Sequence, residues 1–193
     1  MKFEHQQLIK HISNYIQLNK IEIENLINSF EIVHVKKNTL LEEENKLTKN
    51  LYFINKGFVR IFFTKEGEEK TTQINCPSKF ITSYQSFISQ SKAYDNVETV
   101  TDCSLLKISK TELERLSEKV KNWDLFSKKI YEQAVVFNEE RTRDMILMSA
   151  EERYLKLLKT QSEIIKNVPL QYIASYIGIK PESLSRIRKQ LNF

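Results

Sequence analysis

The residues best suited to chemistry in this sequence lie near its end, between Ile179 and Gln190. The stretch holds four basic residues against a single acidic one and two small hydroxyl residues; they are Lys180, Glu182, Ser183, Ser185, Arg186, Arg188 and Lys189. Arginine can donate two hydrogen bonds to the edge of guanine, and glutamate can accept one from N4 of cytosine. The stretch therefore predicts contacts to duplex DNA, with an ordinary solvated basic helix as the alternative.

The apolar residues around this stretch have the spacing of two short helices joined by a tight turn. They recur on both sides of the turn, at Leu170, Ile173, Ile177, Ile179, Leu184 and Ile187. Ala174 lies where a small side chain lets the helices approach, and Gly178 lies where a left-handed conformation is needed. Pro169 and Pro181 precede and open the two helices, at positions where proline is tolerated. The pattern predicts a helix-turn-helix.

Composition limits the other classes of function. The chain has 193 residues and a net charge of +5, and 40% of its residues are hydrophobic. Residues 150–193 contain eight basic and four acidic residues, so most of the excess charge lies in the C-terminal part. The polar N-terminus does not resemble a secretory signal, and no apolar run approaches the ~18 residues of a membrane span. We therefore expect a cytoplasmic protein.

No catalytic or metal-binding pattern stands out elsewhere in the chain. Cys76 and Cys103 are far apart and form no CxxC, and the three histidines lack metal-ligand spacing. Arrangements of Ser/His/Asp or Cys/His, phosphate loops and paired carboxylates are not recognisable. The sequence predicts neither an enzyme nor a metal site or cofactor.

The preceding part of the chain changes character twice. Residues 6–30 have helical spacing in two pieces, and residues 31–109 form β-branched and aromatic runs separated by turns at Gly57 and Gly67. Residues 80–96 interrupt the strands and predict a short helix and a loop. Further helices are predicted over Thr111–Glu118 and, after a capping box of Ser149 and Glu152, from Ala150.

A long helix is predicted to begin at Trp123 and to carry an apolar stripe at steps of three and four residues. The stripe comprises Trp123, Phe126, Ile130, Ala134, Phe137, Arg141, Met145 and Met148. Such a seam favours pairing with a second copy of the chain, and its polar second half adds charge pairing. The alternative is that the stripe packs against the chain's own strands.

The order of these parts resembles the Crp–Fnr family of bacterial transcription regulators over nearly the whole chain. The residues that carry the resemblance are NLYFINKGFVRIFFT, similar to the family's strand-glycine-strand core, and IASYIGIKPESLSRIRKQL, similar to its recognition motif. The resemblance implies an α+β protein. It would have an N-terminal double-stranded β-helix (jelly-roll) sensor domain, a long dimerisation helix and a C-terminal helix-turn-helix domain. The corresponding ranges are 1–120, 121–148 and 149–193.

The resemblance also assigns roles to residues of the second helix. Glu182 and Arg186 match the base-reading positions, and Ser185 falls where a small residue faces the bases. Pro181 replaces a base-contacting arginine of the best-known members, so that contact is not carried over. Only SEIIKNV joins the helices before the motif, and the sequence ends at Phe193, so we expect a reduced or absent wing.

Cyclic-nucleotide binders of the family hold their ligand with a glycine-glutamate turn and an arginine-serine pair. The corresponding stretches here, Phe80–Ser83 and Ala93–Asp95, contain none of glycine, glutamate or arginine. An anionic phosphate ester buried there would be poorly compensated, so we expect no cAMP binding. The oxygen-sensing branch's cysteine set is absent as well, so we expect no iron–sulfur cluster. The remaining side chains of the region would line a pocket for an unknown small-molecule effector or simply form core: Phe80, Ser83, Tyr84, Phe87 and Tyr94.

The sequence thus predicts a homodimeric, sequence-specific DNA-binding regulator acting on an inverted-repeat operator. The resemblance adds RNA polymerase as a partner. A small-molecule sensor that signals through protein–protein contacts is the alternative.

Overall fold

The computed structural model describes residues 3–191. Met1, Lys2, Asn192 and Phe193, at the outer ends of the first and last predicted domains, lie outside the described residues. The chain begins with two helices, α1 (Phe3–Ser13) and α2 (Lys20–Ser29), as the two-piece helical spacing predicts. Helix α2 starts at a capping box, in which Asn19 accepts from the amide of Glu22 and the Glu22 carboxylate accepts from the amide of Asn19.

Eight strands follow and form two four-stranded antiparallel sheets. The strands are β1 (Glu31–Val35), β2 (Leu40–Glu42), β3 (Asn50–Lys56), β4 (Val59–Lys65), β5 (Glu68–Asn75), β6 (Phe80–Ile81), β7 (Asn96–Thr99) and β8 (Cys103–Ser109). One sheet has the order β1-β8-β3-β6 and the other β2-β7-β4-β5. Helix α3 (Tyr84–Ser89) interrupts the strands between β6 and β7. The two sheets form the β-roll predicted for this region.

Strand β4 shows how the β-roll is packed on both faces. Val59 and Ile61 point into its interior, where they pack with Val97 of their own sheet and with Ile54 and Leu105 of the other sheet. The alternate residues point outward, and because helices cover that face, Phe58 and Phe62 are also buried. A strand buried on both faces loses the simple polar–apolar alternation of a half-exposed one.

A second core lies outside the other sheet. It joins helices α1 and α2 to the outer face of β3 and β8 and to two helices that follow, α4 (Lys110–Lys119) and α5 (Trp123–Leu147). Four aromatic rings surround His11 in this core, those of Tyr15, Phe53, Phe80 and Phe126. The start of α5 is therefore anchored on the β-roll.

The remaining elements up to residue 191 are all helical. They are α6 (Ala150–Thr160), α7 (Ser162–Asn167), α8 (Leu170–Tyr176) and α9 (Pro181–Gln190). The predicted capping box is present: Ser149 accepts from the amide of Glu152, and the Glu152 carboxylate accepts from the amide of Ser149. Within residues 3–191 no helix is both long and apolar enough to cross a membrane.

The predicted elements and the observed ones differ in three places. Strand β6 has only two residues and was not predicted, since so short a run has no periodicity to detect. Strand β5 begins at Glu68, three residues before its β-branched residues Thr71 and Thr72, because its charged start pairs with the end of β4. The segment SEIIKN, predicted as a connection, forms helix α7, with Ile164 fully buried among the C-terminal helices.

Candidate nucleic-acid interface

Helices α8 and α9 meet at a turn built around Gly178. This residue has φ +78°, in the left-handed region, and the amide of Ile179 reaches back to the carbonyl oxygen of Ala174 over 2.9 Å. Ala174 is completely buried, as its role between the helices requires. Pro169 precedes α8 and Pro181 opens α9. Two short helices joined by a tight turn therefore lie where the residue spacing predicts them.

One core holds these helices together and joins them to the β-roll. Leu184 of α9 is fully buried, and Ile173 and Ile177 of α8 are 2% exposed each. The other buried residues come from the neighbouring helices and from the β-roll itself: Tyr154, Leu157, Ile164, Val168, Ala174 and Tyr176 from the helices, with Phe58, Ile74 and Val100 from the β-roll. The C-terminal helices therefore pack on the outer face of the β2-β7-β4-β5 sheet.

The exposed side of α9 is polar and predominantly basic. Glu182, Ser185, Arg186 and Lys189 are exposed and recur at three- and four-residue steps, which places them on one face of the helix. Ser183 and Arg188 flank this face and are half-buried, while Lys180 is exposed just before the helix. Among residues 3–191, the basic residues of this group form no ion pair within 4.0 Å. Their donors are free for a partner.

Two arginines attach the turn to the helices that precede it. Nη2 of Arg141, on α5, donates to the main-chain oxygen of Tyr176 over 2.8 Å, and Nε of Arg153, on α6, donates to that of Ile177 over 2.9 Å. These oxygens lie at the end of α8, where carbonyl groups lack helical partners. Burial lowers the pKa of the Arg141 guanidinium, which nevertheless remains charged at neutral pH.

Beside these arginines lies a cleft of about 190 Å³ between α5, α6 and α8. Its charged lining is mixed: Lys156 forms an ion pair with Asp144, and Glu140 lies opposite Arg153 on the cleft wall. Arg141 and Met145, both on α5, line the cleft and approach the turn: Arg141 through its hydrogen bond to Tyr176, and Met145 with its side chain beside Gly178.

The stripe predicted as a dimer interface is divided by the fold. Trp123 and Phe126 are 6% and 3% exposed and lie in the chain's own core, so they offer no free surface. Arg141 and Met145 face the turn, and the rest are half-buried: Ile130, Ala134, Phe137 and Met148. On its opposite side α5 carries exposed apolar residues, which are Leu125, Tyr131, Val135, Val136, Ile146 and Leu147.

The side chains predicted for an effector pocket do not converge on one cavity. Phe80, Tyr84 and Phe87 line an apolar cavity of about 50 Å³ together with Trp123 and Phe126. Ser83 is 1% exposed, whereas Tyr94 is 64% exposed on the surface. Burial raises the pKa of the nearby Asp95 carboxyl. Most of the set therefore belongs to the core.

Sequence reasoning missed the residues that connect the β-roll to α8. Arg60, on β4, is 1% exposed, and its guanidinium carbon lies 3.7 Å from the ring centroid of Tyr172, on α8. Ser175, also on α8, hydrogen-bonds the main chain of β5. A signal for the first of these was available, since a single arginine inside the apolar run FVRIFFT is unusual for a buried strand.

The eight strands, the interrupting helix α3 and the closing helix α4 define the class of the β-roll. Residues 32–120 match the family model of the cyclic nucleotide-binding domain. This cyclic nucleotide-binding-like domain runs from the start of β1 to the end of α4. A search of curated protein sequences gave no match.

Solved structures extend the similarity to the helical part. A transcriptional regulator of the Crp/Fnr family from Eubacterium rectale is 17% identical, with a TM-score of 0.70, over 91% of this chain and 84% of that one. The c-di-GMP-responsive global regulator CLP of Xanthomonas campestris is 18% identical, with a TM-score of 0.66, over 89% and 90%. The catabolite activator protein of Thermus thermophilus is 17% identical, with a TM-score of 0.57, over 94% and 86%. The chain thus has the fold of these regulators, a cyclic nucleotide-binding-like domain followed by a helical region.

Proposed function

We propose that the protein is a sequence-specific DNA-binding transcription regulator. The observation that carries the proposal is the exposed face of α9, where Glu182, Ser185, Arg186 and Lys189 stand free of ion pairs within the described chain. An α-helix fits the major groove, and this face offers one acceptor, one small residue and two cations to base edges and phosphates. Arg186 would bind guanine and Glu182 would accept from cytosine.

Phosphate contacts are assigned to the flanking residues. Lys180 lies ahead of the helix, Ser183 and Arg188 border the base-reading face, and Lys189 lies at the C-terminal end of that face. Such contacts fix register and supply most of the non-specific affinity without reading sequence. The polar character of this surface favours DNA over the alternative of protein docking. Helix α9 exposes no large apolar side chain over Pro181–Gln190, whereas α5 exposes several.

The same proposal includes a homodimer formed along α5. The exposed apolar residues Tyr131, Val135, Val136, Ile146 and Leu147 cover the side of α5 that faces away from its own core. Packing this side against a second copy would bury them. It would also set two recognition helices about one DNA turn apart, which requires an inverted-repeat operator. The half-buried residues of the predicted stripe would border that contact.

The proposed regulator would not respond to cAMP. The region where cyclic-nucleotide binders hold the phosphate has no arginine here, and Asp95 lies in it with Oδ1 buried and unpaired. Glu42, on the neighbouring strand β2, is a second buried carboxyl; burial raises its pKa. A phosphate ester would meet acids instead of an arginine. An unidentified small-molecule effector and a contact with RNA polymerase are also proposed, and both rest on the family resemblance.

The domain ranges proposed from the sequence are 1–120, 121–148 and 149–193. The family match to residues 32–120 supports the first of them. The break between α5 and α6 at Met148 supports the boundary between the second and third, since Ser149 caps a new helix there.

Fluorescence anisotropy with labelled duplex DNA tests the proposal. The affinity should fall steeply as salt rises, with a log–log slope of about −0.9 per phosphate contact. Lys189→Ala should reduce that slope by about one contact, whereas Lys159→Ala, an exposed lysine on α6, should leave it unchanged. A salt-independent affinity, or no binding at low salt, would contradict the proposal.

A further inference from the structure

Two arginines, Arg141 and Arg153, lie side by side at the end of α8. They cap consecutive main-chain oxygens, those of Tyr176 and Ile177, so their guanidinium groups are neighbours. Within residues 3–191, Nε and Nη1 of Arg141 and Nη2 of Arg153 donate no hydrogen bond. Three nitrogen atoms of the pair therefore have donors available to an acceptor.

Neither arginine has a carboxylate partner, although both are half-buried. In the part of the chain that the structure describes, no carboxylate oxygen lies within 4.0 Å of Arg141 or Arg153. By contrast, the buried Arg60 is held by two carboxylates. A guanidinium withdrawn from water without a counter-ion is costly. Burial, and next the charge of Arg153, lower the pKa of the Arg141 guanidinium, as expected for a cation that lacks such a partner.

Both arginines line the cleft between α5, α6 and α8. Its volume is about 190 Å³. A cavity of about 150 Å³ is sufficient for a benzene molecule, so this one has room for a small organic molecule. Its apolar wall is formed by the buried Leu157 and Ile177 and the half-buried Phe137. Cationic donors and an apolar wall thus occur in one cavity, a combination typical of ligand sites.

The other charged side chains of the cleft do not neutralise the arginines. Asp144, which is more than 4.0 Å from Arg141, is already ion-paired with Lys156. Glu140 is at an exposed position on α5. The three cations and two carboxylates that line the cleft leave one positive charge in excess. This excess matches a ligand with a single negative charge.

We propose that this cleft binds a small organic monocarboxylate, whose carboxylate accepts hydrogen bonds from Arg141 and Arg153 and whose carbon skeleton packs against the apolar wall. The planar guanidinium can donate two parallel hydrogen bonds to a carboxylate. A phosphate monoester fits the charge less well, because it carries more than one negative charge near neutral pH. The site lies outside the β-roll and uses no residue of α9, so it does not depend on the proposed DNA binding.

An NMR titration of the full chain, labelled with ¹⁵N, tests the site with benzoate as the probe. The Nε–H signals of Arg141 and Arg153 should shift and reach saturation, with a dissociation constant of about 1 mM or lower. The signals of the exposed Arg115 and Arg143 should not shift. Benzamide has the same ring without the charge and should leave all four signals unchanged at the same concentrations. Phenyl phosphate should bind no more tightly than benzoate.

Two variants change the charge of the cleft in opposite directions. Arg141→Met removes one guanidinium and should weaken benzoate binding at least about tenfold. Because it also removes a cap from α8, the second variant retains both arginines. Glu140→Gln removes the exposed carboxylate and should tighten benzoate binding about twofold to threefold at low salt. Glu151→Gln, at an exposed position of α6 that does not line the cleft, should bind as wild type.

Saturable shifts of both arginine signals with benzoate, and none with benzamide, would support the site. Their absence up to about 10 mM benzoate overturns it. Equal binding of benzamide overturns the role of the charge, and tighter binding of phenyl phosphate overturns the carboxylate as the head group. Equal affinity of wild type and Glu140→Gln overturns the placement in this cleft. None of these measurements contains DNA, so a failure of the proposed function would be seen separately.

Discussion

Arg141 and Tyr176 are joined twice, by a hydrogen bond from Nη2 to the main-chain oxygen over 2.8 Å and by stacking of the guanidinium 4.1 Å from the ring centroid. Arg141 belongs to α5 and Tyr176 ends α8, so the pair ties the long helix to the turn before α9. The orientation of α9 therefore depends on a side chain of α5.

Arg141→Met should destabilise the fold because it removes a donor from the carbonyl at the end of α8. A buried acceptor left without its partner costs about 1–3 kcal/mol, and the free energy of unfolding in urea measures the loss. Arg143→Met changes an exposed arginine of the same helix and should cost less than about 0.5 kcal/mol. Equal losses in the two variants would show that the contact does not stabilise the turn.

Arg186→Ala should weaken binding to the preferred operator by about 1–3 kcal/mol and relax base preference at one position of each half-site. Selection of binding sites from a random duplex library, followed by anisotropy, gives both quantities. Arg115→Ala, which changes an exposed arginine of α4, is the matched control. If the base preference is unchanged in Arg186→Ala, Arg186 does not contact a base.

Alanine substitutions at two glycines should separate backbone strain from steric conflict. In Gly178→Ala, φ of +78° costs about 1–2 kcal/mol, and the new Cβ meets mainly Cε of Met145, the mobile end of a half-exposed side chain. In Gly57→Ala the Cβ would lie 2.6 Å from the main-chain oxygen of Asp102, which cannot move alone. Thermal unfolding should therefore show a clearly larger loss for Gly57→Ala. A larger loss for Gly178→Ala would contradict this account.

Glu42→Gln should stabilise the protein near neutral pH. Burial raises the pKa of the Glu42 carboxyl above its ordinary 4.5, so the folded state binds this proton more tightly than the unfolded chain. The resulting stability is complete below the ordinary pKa and is lost as the pH rises through the raised one. The amide oxygen of glutamine can still accept from Tyr52 and Asn50.

Urea unfolding between acidic and neutral pH measures this effect. The profile of Glu42→Gln should be flatter than that of wild type over the window that begins at 4.5. Glu24→Gln, at an exposed position of α2, should retain the wild-type slope. A wild-type slope in Glu42→Gln would mean that this carboxyl does not titrate in the window.

Val135→Asp should dissociate the proposed homodimer, since it places a charge in the middle of the exposed apolar side of α5. Val135 is 61% exposed in the single chain, so the change should leave the fold of each copy intact. Light scattering after size-exclusion chromatography measures the molecular mass, which distinguishes a dimer from a single chain. Ile21→Asp, at a 70% exposed position of α2, should leave the dimer unchanged. A dimer that persists in Val135→Asp would place the interface elsewhere.

Local features were predictable from the sequence where one residue type has one physical role. Gly178, Pro169 and Pro181 marked the turn and both helix starts, and Ser149 with Glu152 marked the start of α6. These residues act through their own backbone or neighbouring amides, so no knowledge of distant contacts was needed.

Contacts between distant segments were not predictable in the same way. The stripe from Trp123 to Met148 has a helical period, but a period does not show which element packs against the stripe. Trp123 and Phe126, its first two residues, pack against α1 and the β-roll. A single arginine in the apolar run FVRIFFT singles out Arg60, but its partner Tyr172 lies more than a hundred positions away, so neither residue type nor spacing identifies the contact between them. The partners of both the stripe and Arg60 depend on how the helices dock on the sheets.

Helix α5 is continuous over 25 residues, which at about 1.5 Å per residue makes it about 38 Å long. Its first turn packs against aromatic rings of the β-roll, and side chains of its last turns contact Tyr176 and Gly178. A tilt of only about 5° at the end packed against the β-roll would carry the other end about 3 Å. A change too small to alter the β-roll visibly would therefore displace the turn before α9 by several ångströms, enough to take the proposed recognition helix out of register with a DNA half-site.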